Sequence, residues 1–239
     1  MKALVKQIEL PRGKRVVEED YLSDAERLWL RALPHILESR EYIFVHGGLT
    51  SDNLAEQETG TCLKNDAFME NGLKFGKYVI TGHWPTGNYT HKIQCFNPVV
   101  SEEQRIIAID GGNVIQSRGQ LNAFIIQNGA FSFDSADALP TARVKSPQAA
   151  SGGDLTITWL DRFVELLERG EDFSLYRHIK TGKTILLANR DVWTDGEAQG
   201  TDYFLPVGEG DTVSVVSEYS DRILAKKDGT VGWIMKTLL

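Results

Sequence analysis

The sequence predicts a mixed α/β (α+β) fold with a small all-β part at its C-terminal end. A capping box at Ser23-x-x-Glu26 is followed by apolar residues at helical spacing. Short β-branched runs that stop at glycine fill the stretch from Tyr42 to Ile126 and indicate buried strands. After about residue 154, short strand patterns separated by glycines are typical of a small barrel or sandwich.

The elements of the N-terminal part follow in order. A helix is expected from Glu26 to about Arg40, with a bend or a break at Pro34. A polar connection over residues 50–77 could hold a short helix around Asn65–Leu73 and form part of a site wall. Asn128-Gly129 between two apolar runs predicts a hairpin with a type I′ turn. The strands are expected at Tyr42–Val45, Tyr78–Ile80, Ile106–Ile109, Gln120–Ile126 and Ala130–Phe133.

A change of composition divides the chain into three parts. Residues 1–140 form the first domain, the small and flexible residues of 141–153 form a linker, and residues 154–239 form the second domain. In the second domain we expect a strand at Asp154–Trp159 and a short amphipathic helix at Asp161–Arg169. Further strands are predicted at Thr184–Leu187, Tyr203–Val207, Thr212–Val216, Ile223–Lys226 and Gly232–Met235.

Charge and cysteine content exclude several function classes. Among 239 residues the net charge is -7, so no general attraction to nucleic acid or to an anionic membrane is expected. Cys62 and Cys95 are the only cysteines and show no disulfide framework, which favours the cytoplasm. Neither the nucleotide-binding glycine loops nor the serine-hydrolase and zinc-protease motifs occur.

Two histidines and one aspartate are the candidate site. His46 and His83 each follow a predicted strand and stand next to a glycine, Gly47 and Gly82 respectively, while Asp110 follows a third strand. Ligands often bind at the carboxyl ends of strands, and imidazole is the commonest protein ligand for transition metals. Glycine lets a ligand approach the backbone closely. Alternatively, the histidines cap the strands through hydrogen bonds, and Asp110 is a turn residue.

These residues carry a resemblance to calcineurin-like metallophosphoesterases of the bacterial phosphoprotein phosphatase type. Tyr42-Ile-Phe-Val-His46-Gly-Gly-Leu49 resembles the V-H-[AG]-G-[LV] motif, and Gly82-His83-Trp-Pro resembles the G-H-[TW]-P segment. Ile109-Asp110-Gly-Gly with Gly119-Gln-Leu-Asn-Ala123 resembles the closing I-D-[TG]-G…G-x-L-x-A strands. The resemblance covers roughly residues 15–133. The tail, with Gly210-Asp211 and Lys226–Trp233, is similar to a bacterial SH3-like barrel.

The resemblance implies a partial αββα sandwich followed by an SH3-like barrel. It implies that His46 and His83 bind one metal of a dinuclear Mn, Fe or Zn centre, with Asp110, Gly47 and Gly82 in support. Two metals would hold the phosphoryl group of a phosphorylated protein or a small phosphoester and activate a water. No catalytic set is complete, because the D-x-H, G-D-x-x-D-R-G and G-N-H-[DE] motifs of the family do not precede His46.

Three interpretations follow from the missing motifs. The chain is the C-terminal half of a serine/threonine phosphatase-like enzyme, incomplete or inactive alone, because two histidines fall short of a metal ligand set. The missing half would come from another copy in a homo-oligomer or from a separate N-terminal half, or would be lost by truncation. Alternatively, it is a non-catalytic binding or regulatory module derived from the phosphatase fold. A third interpretation is a mononuclear metal protein whose ligands are shared across a dimer.

Overall fold

The computed structural model describes residues 22–90, 92–152, 155–194 and 196–239. Contacts divide the chain into two compact units, residues 1–34 and 35–239. The described part of the first unit holds helix α1, Asp24–Arg31, and Ser23 and Glu26 form the predicted capping box. The predicted continuation of this helix to Arg40 is wrong. Residues beyond Pro34 instead form strand β1, Ile36–Glu38, because they find a backbone partner in the next strand.

A five-stranded sheet organises the N-terminal part of the second unit. Its order is β1-β2-β3-β5-β4, in which β2, β3 and β5 run parallel and both edge strands are antiparallel. Ile43, Val79 and Ile106 face one core together with Phe68 and Phe75. The three buried strands expected at Tyr42–Val45, Tyr78–Ile80 and Ile106–Ile109 are therefore present, and the structure shows that they run parallel. The strand bounds are β2 Tyr42–Val45, β3 Tyr78–Thr81, β4 Val99–Ser101 and β5 Ile106–Ala108.

The connection between β2 and β3 contains more helical structure than the single short helix predicted around Asn65–Leu73. It forms helix α2, Thr59–Leu63, and 3₁₀ turns at Leu54–Glu56 and Phe68–Asn71. A further 3₁₀ turn, Thr86–Asn88, follows β3. No helix of the described residues is long and apolar enough to cross a membrane.

The predicted hairpin is confirmed. Strands β6, Leu121–Gln127, and β7, Ala130–Ala136, pair across Asn128 and Gly129, whose φ angles are 51° and 78°. Two central residues with positive φ are the requirement of a type I′ turn. The hairpin packs on the sheet through Phe131, whose ring lies 5.2 Å from that of Tyr78.

The remainder of the second unit is almost entirely β, as predicted in coarse terms. Its four sheets have the orders β10-β11-β12, β13-β14, β15-β9 and β18-β17-β16-β8. Short 3₁₀ turns lie at Trp159–Asp161, Asn189–Asp191 and Lys236–Leu238. The strand bounds are β8 Thr141–Arg143, β9 Thr156–Ile157, β10 Val164–Glu168, β11 Phe173–His178, β12 Thr184–Ala188, β13 Val192–Thr194, β14 Glu197–Ala198, β15 Gly200–Thr201, β16 Thr212–Glu218, β17 Arg222–Lys227 and β18 Thr230–Met235.

Three local expectations in this region are wrong. In place of the strand predicted at Tyr203–Val207, only isolated bridges form, at Phe204 and Val207. The other two concern a predicted helix and a predicted linker. Asp161–Arg169 is not a helix, because residues 164–168 pair with β11, a strand that the apolar pattern did not reveal. The predicted linker over residues 141–153 begins with β8, which pairs with β16, and Val144 enters the core beside it. In both places an available strand partner outweighs the local sequence preference.

Hydrogen bonds tie the loop after the candidate histidine His83 to the C-terminal strands. Phe96 N donates to Gly229 O at 2.9 Å, and Val231 N donates to Gln94 O at 2.9 Å. The side chain of Asn97 donates to Asp228 O at 2.8 Å. The loop after β3 is therefore held in place by a segment that is far away in sequence.

Candidate functional site

The parallel strands deliver the predicted side chains to one edge of the sheet. His46 directly follows β2, Gly82 and His83 follow β3, and Asp110 lies two residues beyond β5. His46, His83 and Asp110 line one cleft with a volume of about 600 Å³. Since parallel neighbours present their carboxyl ends together, the sequence pattern correctly brought these residues to one place.

The two imidazole rings lie side by side. Their centroids are 5.4 Å apart and their planes make an angle of 63°. Gly82, the residue directly before His83, lies beside His46, since Gly82 N donates to His46 O at 3.0 Å. A β-carbon at Gly82 would be 3.6 Å from His46 Nδ1, an ordinary contact distance. Gly82 therefore packs on the ring without being sterically required.

His83 has an unusual backbone conformation. Its φ is 64°, in the left-handed region that non-glycine residues seldom adopt. Such a conformation costs free energy, and residues that keep it cluster at functional sites. It turns the chain between β3 and the following 3₁₀ turn and leaves the imidazole in the wall of the cleft. This local strain supports a functional interpretation of His83.

Asp66 is a site residue that the sequence did not reveal. Its Oδ1 lies 2.8 Å from His83 Nε2, so the carboxylate can hold the ring in one orientation. Asp66 comes from the connection between β2 and β3, which was expected to form a site wall. The sequence spacing between Asp66 and His83 did not predict this contact, because only the tertiary structure brings the two residues together. With Nε2 bonded to Asp66, Nδ1 is the nitrogen of His83 that would bind a metal ion.

Asp110 has the geometry of a turn residue. Its Oδ1 accepts a hydrogen bond from Gly112 N at 2.8 Å. Its carbonyl oxygen accepts from Thr86 N at 2.8 Å and from Thr86 Oγ1 at 3.1 Å. These bonds connect the end of β5 to the turn after His83. Asp110 thus shapes the cleft through both its side chain and its carbonyl oxygen, which agrees with the turn alternative.

Gly47 is surrounded by protein backbone. Gly47 N donates to Cys62 O at 2.5 Å, and a β-carbon at Gly47 would lie 2.8 Å from Lys64 N. The glycine is therefore needed for the close approach of the end of α2. The space beside it holds this segment of the chain, where the sequence had suggested room for a ligand.

The residues of the cleft do not by themselves complete a metal centre. In the part of the chain that the structure describes, no group of three or more His, Cys, Asp or Glu side chains could hold a metal ion. His46 and His83 supply two nitrogen ligands, whereas catalytic zinc sites use three protein ligands and an open position. A metal bound here would need further ligands.

No protein-family model matches the chain, and no match is found among the curated proteins or the solved structures. The function of the chain is therefore inferred from its motifs and from the geometry of this cleft.

Proposed function

We propose that this chain contributes two imidazole ligands to the metal centre of a phosphoesterase of the serine/threonine phosphatase type. The observation that carries the proposal is the pair formed by His46 and His83, whose ring centroids lie 5.4 Å apart at the tips of adjacent parallel strands. Imidazoles held this close can share one divalent cation, and Mn, Fe and Zn all accept nitrogen ligands. In the complete enzyme the centre is dinuclear.

The surroundings of the pair support a ligand role. Asp66 bonds to His83 in the way that outer-shell carboxylates orient metal-bound histidines. His46 is exposed to solvent and lines the cleft, so an ion could reach it. The proposed substrate is a phosphorylated protein or a small phosphoester, and the proposed location is the cytoplasm.

Exposed apolar side chains on β1 and β2 are consistent with an incomplete sandwich. Leu37 and Phe44 are paired across β1 and β2, and both are exposed. Apolar side chains on an edge strand favour association with another element. We therefore propose that the remaining half of an αββα sandwich, with the remaining metal ligands, is supplied by a second copy or by a separate N-terminal half. The C-terminal strands are proposed to form an SH3-like barrel.

Zinc titration followed by NMR of the histidine side chains tests the ligand pair. We expect Zn²⁺ to shift the imidazole nitrogen signals of His46 and His83 together, and His46→Ala to abolish the response of His83. His35→Ala is the matched control, because His35 is exposed and lies outside the cleft. If zinc leaves both imidazoles unchanged, the metal role is wrong and a non-catalytic binding module becomes the better interpretation.

Activity measurements test the incomplete ligand set. With Mn²⁺, the chain alone is expected to hydrolyse aryl phosphates no faster than buffer, because two histidines cannot form a catalytic centre. Robust turnover that is lost in His46→Ala would contradict this expectation. It would mean that the chain completes the centre itself, for example by sharing ligands across a dimer.

A further inference from the structure

A second cavity adjoins the histidine cleft. It has a volume of about 390 Å³, and it shares His83 and Ile115 with the first cleft. A molecule with one end at the histidines could therefore extend into it. The far wall is formed by Trp159 and Trp193, which come from the C-terminal β region.

The two tryptophans are unusually open to solvent for such large apolar side chains. Trp159 is 44% exposed and Trp193 is 46% exposed, and their ring centroids are 5.7 Å apart. The guanidinium of Arg162 lies over Trp159, 4.5 Å from the ring centroid. Tryptophan usually buries most of its surface, so an exposed pair beside a cavity indicates a stacking platform for a ligand.

Two residues that line the same cavity each carry a buried polar atom without a hydrogen-bond partner among the described residues. Trp84 is only 5% exposed, and its Nε1 has no hydrogen-bond partner among the described residues. The buried Oε1 of Gln116 likewise has none in this part of the chain. Both residues line the second cavity. Buried polar atoms are nearly always hydrogen-bonded, so this donor and acceptor call for a partner with complementary groups.

We propose that the second cavity binds the nucleobase of a nucleotide or nucleotide ester. A planar heteroaromatic ring stacks on the exposed tryptophan surface, and its edge offers an acceptor to Trp84 Nε1 and a donor to Gln116 Oε1. A phenyl ring could stack but has no such edge, so a phosphotyrosine side chain fits less well. Placing the attached phosphoryl group at His83 rests on the proposed function, whereas binding of the base does not.

The indole N–H signals of the full chain test this assignment. The chain has five tryptophans, so its ¹H–¹⁵N spectrum gives five indole signals, which Trp→Phe variants assign. Adenosine and AMP are expected to shift the signals of Trp84, Trp159 and Trp193. Trp233 is an internal control, because it is buried and its Nε1 already donates to Thr201 O at 2.8 Å.

Substitutions separate stacking from edge recognition. Gln116→Leu keeps the size of the side chain and removes the acceptor, so it should weaken adenosine binding by about tenfold. Trp193→Ala should weaken it at least as much, because half of the platform is lost. Trp29→Phe is the matched control, since Trp29 is exposed but does not line the cavity. Wild-type affinity in Gln116→Leu would overturn the proposed edge recognition.

The ligand series distinguishes this inference from the proposed function. If adenosine shifts none of the three indole signals, the base site is wrong whatever the metal result. If ribose 5-phosphate or methyl glucoside shifts them as adenosine does, the cavity is a sugar site and the assignment is also overturned. If adenosine binds while zinc leaves His46 and His83 unchanged, the base site stands and the phosphoesterase proposal fails.

Discussion

Lys226 offers the sharpest prediction about stability, because its charge is buried beside the candidate site. Lys226 is 4% exposed, and its Nζ lies 2.8 Å from Asp137 Oδ2. The same ammonium donates to Gly119 O at 2.7 Å and to Arg118 O at 3.3 Å. These carbonyls end the loop that follows Asp110, so one β17 side chain fastens the wall of the cleft to the C-terminal strands.

Lys226→Met should lower the free energy of unfolding, because it leaves the partners of the lysine without their cation. The substitution leaves the largely buried carboxylate of Asp137 without its cation and two carbonyl oxygens without their donor. Breaking a buried ion pair costs about 3–5 kcal/mol. Asp137 keeps hydrogen bonds from Leu139 N at 3.1 Å and Ser214 Oγ at 3.2 Å. Because these bonds still stabilise the carboxylate, we expect a loss of about 3 kcal/mol in the free energy of unfolding, the lower end of this range.

Urea denaturation followed by circular dichroism measures this loss of unfolding free energy. Lys74→Met is the matched control, because Lys74 pairs with Glu103 at 2.6 Å and both side chains are exposed. An exposed pair contributes about 0–1 kcal/mol. If Lys226→Met costs no more than Lys74→Met, the buried pair does not fasten the wall. Adding Asp137→Asn to Lys226→Met should recover part of the loss, since it removes the unpaired charge.

Three further predictions concern acid stability, a close backbone contact and the orientation of His83. Burial alone would raise the pKa of Asp137, but the hydrogen bonds from Lys226 and Leu139 and the charge of Lys226 hold it below the ordinary 3.8. The Asp137 carboxyl therefore binds a proton less tightly in the folded state than in the unfolded state. Its contribution to the free energy of unfolding is complete above the ordinary pKa and is lost as the pH falls through the lower pKa of the folded state. Urea midpoints measured from about pH 6 down to about pH 2 should fall more steeply for wild type than for Asp137→Asn; parallel curves would contradict this. Gly111→Ala should lower the free energy of unfolding by about 2–3 kcal/mol in a thermal unfolding assay, because the new β-carbon would lie 2.0 Å from Gln120 O. Gly60→Ala is the control and should be neutral or stabilising, because nothing lies within 4 Å of its β-carbon. Asp66→Ala should weaken zinc binding by the histidine pair about tenfold in a calorimetric titration, and an unchanged affinity would show that Asp66 does not orient His83.

Local sequence patterns were sufficient for the central part of the candidate site. Apolar runs that end at glycine identified β2, β3 and β5, and parallel neighbours place their carboxyl ends together. His46 and His83 therefore lie at the same edge of the sheet and line one cleft. Asn128-Gly129 predicted the hairpin for an equally local reason, since both positions need positive φ. These features depend on residues close to one another in sequence.

The tertiary structure alone decided which distant side chains meet. Asp66 bonds to His83, Trp159 lies against Trp193, and Lys226 pairs with Asp137, yet none of these pairs has a spacing that periodicity can detect. The same cause turned the helix expected at Asp161–Arg169 into a strand, because β11 offered it a partner. Strand periodicity is local, but pairing and burial depend on the whole chain. The sequence therefore determined where the histidines stand, and the fold decided what surrounds them.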